Sequence, residues 1–276
     1  MKKWQIDFYK LPPTDKQQSN TWELAICDDR GQIIYEARCR QSQANSDWLV
    51  TQLGHAMGEN RPDVVQVFRP QVLGLLTIAA QQLGIEVEAT RRTNVLKKAL
   101  KKRASNYTSK TPNYNPVALD KPPPQALPEN LWGEQWNFAS IGARDLIEMF
   151  GDRPIPVKDM PESLLPLNLG IASTTPIPGV VIYGGRNSLQ LARWLEQEKP
   201  VFLNYIPTEV GQSGGLILET GLVERWIVAT FEDREVAQAA QSYEQRKQAS
   251  QGLHFLLVQP DDSGMTYTGF WLLKEE

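Results

Sequence analysis

The sequence predicts an α/β (α+β) protein of two lobes, and three observations predict it. The first hundred residues alternate short β-branched and aromatic runs with stretches of helical spacing. A proline-rich segment follows, and beyond it a second alternating series begins. The length, 276 residues, suits two ordinary domains. With 41% hydrophobic and 22% charged residues the chain belongs with globular proteins, not disordered ones.

The elements of the first lobe can be justified in order. Trp4, Ile6 and Phe8 alternate with Gln5, Asp7 and Tyr9, the pattern of a half-buried strand. Leu11 to Asn20, with Pro12 and Pro13, reads as a loop. Trp22–Cys27 and Ile33–Arg38 read as a hairpin turning at Asp28-Asp29-Arg30-Gly31. Asn45 or Ser46 is placed to cap a helix carrying Trp48, Leu49, Leu53 and Met57. Val64–Phe68, bounded by Pro62 and Pro70, is a short apolar run suited to a buried central strand. A helix with Val72, Leu75, Leu76, Ala79, Ala80 and Leu83 on one side ends at Gly84. Ile85–Ala89 is a fifth strand, and a last helix starts near Thr93 and Asn94. The order βββαβαβα, a meander followed by crossovers, predicts a ribonuclease-H-like N-terminal lobe over residues 1–104.

Residues 105–128, with Pro112, Pro116 and the run Lys121-Pro122-Pro123-Pro124, read as an extended, partly polyproline-like linker. The C-terminal α/β domain then occupies 129–276. Its expected elements are a helix over Gly142–Phe150, a strand Val180–Tyr183 ending in Gly184-Gly185, and a helix with Leu189, Leu191, Ala192, Trp194 and Leu195. Strands follow at Val201–Tyr205, Gly215–Glu219 and Arg225–Thr230. Asp233 can cap a long helix running to Ser250, and His254–Val258 and Tyr267–Leu273 close the chain as strands.

Several chemistries are poorly supported. Cys27 and Cys39 do not face each other in the hairpin register, where Cys39 falls near Trp22 and Cys27 near Ile34, so both are expected as reduced, semi-buried thiols. With only His55 and His254 besides, no metal-ligand spacing exists, and no metal or other cofactor is expected. Gly184-Gly185-Arg186-Asn187-Ser188 has the form of an anion-binding turn but not a nucleotide-binding spacing, which favours a structural turn. A nuclease of this fold needs several carboxylates around Mg²⁺. Asp7 stands where one would be, most often a solvent-facing strand position, but Arg69 occupies the end of the fourth strand, where it would repel the cation. No catalytic residue is expected. No apolar run approaches the roughly 20 residues of a membrane span. The start, Met1-Lys2-Lys3-Trp4, enters a strand without a signal or transit pattern, so a cytosolic location is expected.

The sharpest local signal is basic. Between Arg91 and Arg103 stand Arg91, Arg92, Lys97, Lys98, Lys101, Lys102 and Arg103 with no acid, in a chain of formal net charge −3. On a helix, Lys97, Lys98, Lys101 and Lys102 are expected on one arc and Val95, Leu96, Ala99 and Leu100 on the adjacent one. Such an arc presents ammonium groups to phosphates, and a solvated face is the equally weighted alternative. Arg69 joins these residues as a candidate RNA contact. Four to six phosphate contacts on a single strand would give a log–log salt slope of roughly −3 to −4. Trp132 and Trp136, in the run Trp132–Phe138, are candidate stacking platforms for bases, although anchoring of the linker on a sheet is the favoured reading.

Taken together, Trp4-Gln5-Ile6-Asp7-Phe8-Tyr9, Trp22–Cys27, Phe68-Arg69-Pro70-Gln71, Leu83-Gly84-Ile85 with Arg91-Arg92-Thr93, Gly133-Glu134-Gln135-Trp136, Ile177-Pro178-Gly179, Gly252-Leu253-His254-Phe255 and Gly269–Leu273 carry a family resemblance. In order and over essentially the whole chain, they resemble the chloroplast and cyanobacterial A/U-rich RNA-binding factors that support translation of the photosystem I subunit PsaB. The resemblance implies binding of single-stranded A/U-rich messenger leaders, a role in photosystem biogenesis, and contacts with translation or assembly proteins. It suits a cyanobacterial member in the cytoplasm or at the thylakoid surface, and it assigns no individual RNA contact. A scaffold for photosystem assembly is the alternative from another class, and a metal-dependent nuclease a more distant one.

Overall fold

In the computed structural model, residues 1–12, 20–28, 30–58, 60–104 and 114–275 are described. They form two units, Met1–Asp120 and Lys121–Glu276, so the division falls inside the segment expected to be a linker. Residues 13–19 of the first expected loop, Asp29 of the hairpin turn and residues 105–113 of the linker lie outside the described residues.

The first unit holds β1 (Lys3–Lys10), β2 (Thr21–Cys27), β3 (Ile33–Arg40), α1 (Ser46–Met57), β4 (Val64–Val67), α2 (Pro70–Gln82), β5 (Glu86–Ala89) and α3 (Asn94–Ala104). The expected βββαβαβα order is the observed one. The sheet runs β3-β2-β1-β4-β5, antiparallel across β3-β2-β1 and parallel from β1 to β5. Asn45 caps α1, its side chain accepting from the Trp48 N–H at 2.9 Å. Pro70 opens α2 at a position where its missing N–H costs nothing.

Period-2 alternation divides β1 between two cores. Trp4, Ile6 and Phe8 face α1 and α2, packing with Leu49, Leu53 and Leu76. Tyr9 faces the other way, toward Leu96 and Leu100 of α3, with Val117 and Leu119 packed alongside. The strand is therefore buried on both faces. The half-buried expectation fails because α3 covers the polar face, and every polar residue there has a partner. Asp7, expected toward solvent, is fully buried.

Both cysteines are free thiols and buried. Cys39 stands opposite Trp22, while a register irregularity after Ile26 puts Cys27 opposite Ile33, one place from the expected Ile34. Burial pushes the Cys27 thiol up to about 11, which keeps it protonated and inert.

The second unit contains β6 (Gln125–Ala126), β7 (Gln135–Gly142), α4 (Ala143–Phe150), β8 (Val157–Asp159), β9 (Pro176–Tyr183), α5 (Ser188–Glu198), β10 (Pro200–Glu209), β11 (Ser213–Thr220), β12 (Glu224–Phe231), α6 (Arg234–Ala249), β13 (Leu253–Gln259) and β14 (Gly269–Lys274). One sheet runs β10-β11-β12-β6 and the other β7-β9-β13-β14-β8. Val180, Leu256, Trp271 and Leu273 of the second sheet pack with Leu191 and Leu195 of α5, Tyr243 of α6, and Leu203, Leu216 and Leu218 of the first sheet. The opposite face, with Val181, Phe255, Leu257, Phe270 and Leu272, is covered by Leu146 and Phe150 of α4.

Two glycines answer to specific demands. Gly179 pairs with Phe255 across β9 and β13, and a Cβ there would lie 2.4 Å from the Phe255 ring. Gly252 turns the chain out of α6 at φ +82°, a region closed to most side chains. Asp233 caps α6 as expected, accepting from the N–H groups of Glu235 and Val236. The Gly184-Gly185 turn is structural: its two N–H groups donate to the Gln259 and Pro260 carbonyls.

Candidate nucleic-acid interface

The basic segment does not form one arc. Along α3 the buried positions include Leu96, Lys97, Leu100 and Ala104, while Lys98, Lys101 and Lys102 are exposed. Lys97 lies three residues before Leu100 and seven before Ala104, which places it on the packed stripe and corrects the expected grouping. Its Nζ donates to the Arg91 carbonyl at 2.7 Å and lies 5.0 Å from the Phe68 ring centroid. Arg91 is buried and Arg92 half-buried. Neither Arg91 nor Lys97 can reach a surface phosphate in this conformation.

Arg69 and Arg103 answer buried acids on the sheet. Asp7 receives a bidentate pair from Arg69, Nε to Oδ1 and Nη2 to Oδ2, both 2.9 Å. Burial raises the Asp7 carboxyl, and the guanidinium of Arg69 opposes that rise, with Lys97 adding to it at longer range. Arg69 also donates to the Pro116 carbonyl at 2.6 Å and the Ala118 carbonyl at 3.4 Å, which binds the proline-rich segment to this unit. Glu23, fully buried on β2, accepts from the Tyr9 hydroxyl at 2.6 Å, Arg38 Nε at 2.7 Å and Arg103 at 3.0 Å. Arg103 pairs with Glu36 as well, at 2.9 Å. Gln5 Oε1 accepts the Leu96 N–H at 2.9 Å, so a side chain of β1 occupies the start of α3. Arg103 and the Gln5 side chain thereby tie the helix to the sheet, and Lys98, Lys101 and Lys102 lie on its exposed side.

The second unit repeats the clamping of the linker with different residues. Glu219 of β11, 1% exposed, pairs with Lys121 at 2.9 Å and with Arg225 at 3.2 Å, and Arg225 donates to the Pro122 carbonyl. Trp132, 40% exposed, donates its Nε1–H to the Leu127 carbonyl at 3.1 Å. Trp136 is half-buried on β7, edge-on to Phe138 at 5.3 Å and beside Phe231 at 5.9 Å. Trp136 anchors its strand against the core; Trp132 keeps an open ring surface. The pairing of Arg69 and Arg103 with carboxylates was beyond sequence reasoning, since the acids stand more than sixty residues away.

Among the described residues, no group of three His, Cys, Asp or Glu side chains is placed to hold a metal ion, and no helix is long and apolar enough to cross a membrane. A row of surface lysines on a helix anchored to the sheet can meet a polyanion. The N-terminal signature of the RNA-binding protein Tab2/Atab2 matches residues 3–103 and the C-terminal domain signature matches residues 114–274. The chain belongs to the Tab2/Atab2 RNA-binding protein family. It is 29% identical to the chloroplastic TAB2 homologue of Arabidopsis thaliana, over 99% of this chain and 74% of that protein. It is also 29% identical to the chloroplastic TAB2 homologue of Zea mays, over 100% of this chain and 72% of that protein. Among solved structures, one from a simian T-cell lymphotropic virus intasome in complex with PP2A regulatory subunit B56 gamma aligns over 41% of this chain and 43% of that one. The identity is 16% and the TM-score 0.28.

Proposed function

We propose that this protein binds single-stranded A/U-rich RNA through the outer face of α3 and promotes translation or biogenesis of photosystem subunits without catalysing a reaction. The observation that supports it most is the division of the basic helix: Lys97 is buried against the Arg91 carbonyl and Arg103 is held by Glu23, while Lys98, Lys101 and Lys102 lie on the exposed side. Arg92, half-buried beside the helix start, and Trp132, with its exposed ring, are the proposed sources of base preference. The absence of catalysis is supported by Arg69, which holds both oxygens of the one carboxylate where a nuclease of ribonuclease-H-like order would bind metal. The strand order β3-β2-β1-β4-β5 supports that fold assignment. The chloroplastic location of the named relatives supports a photosynthetic role.

Three exposed lysines set a smaller salt dependence than a full basic arc would. At about −0.7 per phosphate contact, they contribute roughly −2 to the slope of log affinity against log salt. Changing Lys98, Lys101 and Lys102 to Gln is expected to flatten the slope by about that amount and to weaken A/U-rich and G/C-rich strands equally. Trp132→Ala is expected to reduce the A/U preference while leaving the slope in place. Unchanged affinity and slope in the triple variant would move the interface off this helix.

A further inference from the structure

A groove of about 690 Å³ in the second unit is lined by four consecutive residues of β7, Trp136 to Ala139. Successive side chains of a strand point to opposite faces, so a cavity touched by all four wraps the strand's edge, and Val181 and Tyr183 of β9 extend it over one face. Among the described residues that edge is open: β7 ends its sheet, paired only with β9. The opposite wall is Thr230 and Phe231 of β12 with Glu235, Val236 and Ala239 of α6. Among the described residues β12 is open there too, since β6 pairs with it only at Trp226 and Ile227. A smaller apolar pocket continues the groove past Trp132 and Leu127, sharing Trp136 and Thr230 with it.

The groove therefore offers unpaired backbone donors and acceptors along its sides, aromatic rings from Trp136, Phe138, Tyr183 and Phe231, and one charged side chain, Glu235. Glu232 and Asp233, both exposed, precede Glu235 with Arg234 between them. An RNA strand would bring one negative charge per nucleotide beside Glu235, with no Lys or Arg in the wall to meet it. An extended polypeptide matches each feature: its backbone pairs with the open edge, alternate apolar side chains meet the rings, and a cation meets Glu235.

We propose that this groove is a docking site for an extended segment of a partner protein, added as a strand to the β7 edge, with alternating apolar side chains and at least one Lys or Arg. The groove belongs to the second unit, and Trp132, in its smaller continuation, is the residue it shares with the RNA-binding reading.

A phage-displayed library of random dodecapeptides, selected on the full chain, is the direct test. Selected peptides are expected to alternate aliphatic or aromatic residues with Lys or Arg. Bound as synthetic peptides, they should slow amide hydrogen exchange in Gln135–Ser140. Glu235→Lys is expected to weaken them at least tenfold, and Thr230→Lys, at a second exposed position on the same wall, to do the same. Failure to select any peptide, selected peptides without that pattern, or protection elsewhere in the chain would overturn the proposal. Two other results would also overturn it: protection of Gln135–Ser140 by a uridine dodecanucleotide, which would assign the groove to RNA, or by self-association of the chain, which would assign the edge to a second copy.

Discussion

Both units bury carboxylates against cations, Asp7 and Glu23 in the first and Glu219 in the second, but the second also buries a lysine among acids beside a neutral histidine. The first places two carboxylates, Asp7 and Glu23, inside the sheet and brings arginines to them. The second buries a cation, Lys247, with no exposed surface. Its Nζ is held by the Leu203 carbonyl at 2.9 Å, Glu244 at 2.9 Å and Glu275 at 3.1 Å, beneath the Tyr243 ring. Beside it His254 is buried in neutral form: Nδ1–H donates to the Gly252 carbonyl at 2.8 Å and Nε2 accepts the Leu203 N–H at 2.9 Å. Burial, with Lys247 and Lys274 nearby, holds this imidazole down at about 3 despite the Gly252 contact. The arginines serve the first unit by tying a helix and a linker segment to the sheet. The lysine and histidine serve the second by tying α6 and β13 to β10.

The largest effect that would break this contrast is removal of Arg69. Arg69→Met leaves the Asp7 carboxyl buried without its guanidinium and is expected to destabilise the fold by about 3–5 kcal/mol in urea titration. Adding Asp7→Asn should recover part of that loss. A double variant as unstable as the single one would show that Arg69 acts through Pro116 and Ala118 and not through Asp7. The same single variant is expected to leave single-stranded RNA intact in excess Mg²⁺; cleavage would show that Asp7 retains catalytic competence.

Protonation separates the units next. His254 binds a proton more readily unfolded, near pH 6.5, than folded, near 3, so stability is full above 6.5 and declines as pH falls toward 3. One proton per molecule gives at most about 1.4 kcal/mol per pH unit. His254→Gln should flatten this dependence between pH 6 and 4, measured by thermal unfolding. A profile identical to the wild type would place the acid sensitivity elsewhere.

The smallest expected difference lies within α3. Lys97→Met removes a buried charged hydrogen bond and is expected to cost about 1–3 kcal/mol. Lys101→Met, on the exposed side, should stay within about 0.5 kcal/mol. Equal effects would mean that the helix does not hold the inner and outer lysines apart.

The order of elements was legible because strands and helices here carry their own periodicity: Val64–Val67 as an apolar run, α2 between Pro70 and Gly84, α6 after the Asp233 cap. The cluster of basic residues was legible too. Its division was not, because Asp7 and Glu23 lie far off in sequence and their partners are chosen by the sheet. Lys97 alone left a local trace, on the stripe with Leu100 and Ala104. The groove beside β7 left less. Trp136 and Phe138 announce an alternating strand, but Phe231 and Glu235 come to it from ninety residues on.

The linker clamps decide where the chain can be divided. The family's C-terminal signature begins at residue 114, yet Val117 and Leu119 pack against the first unit's core, and Pro116 and Ala118 accept from Arg69. A fragment starting at 114 would carry two apolar side chains stripped of their cover and leave Arg69 of its counterpart without the Pro116 and Ala118 carbonyls. A cut between Asp120 and Lys121 instead leaves Arg69 with its carbonyls and Glu219 with Lys121, each half keeping its own fastener.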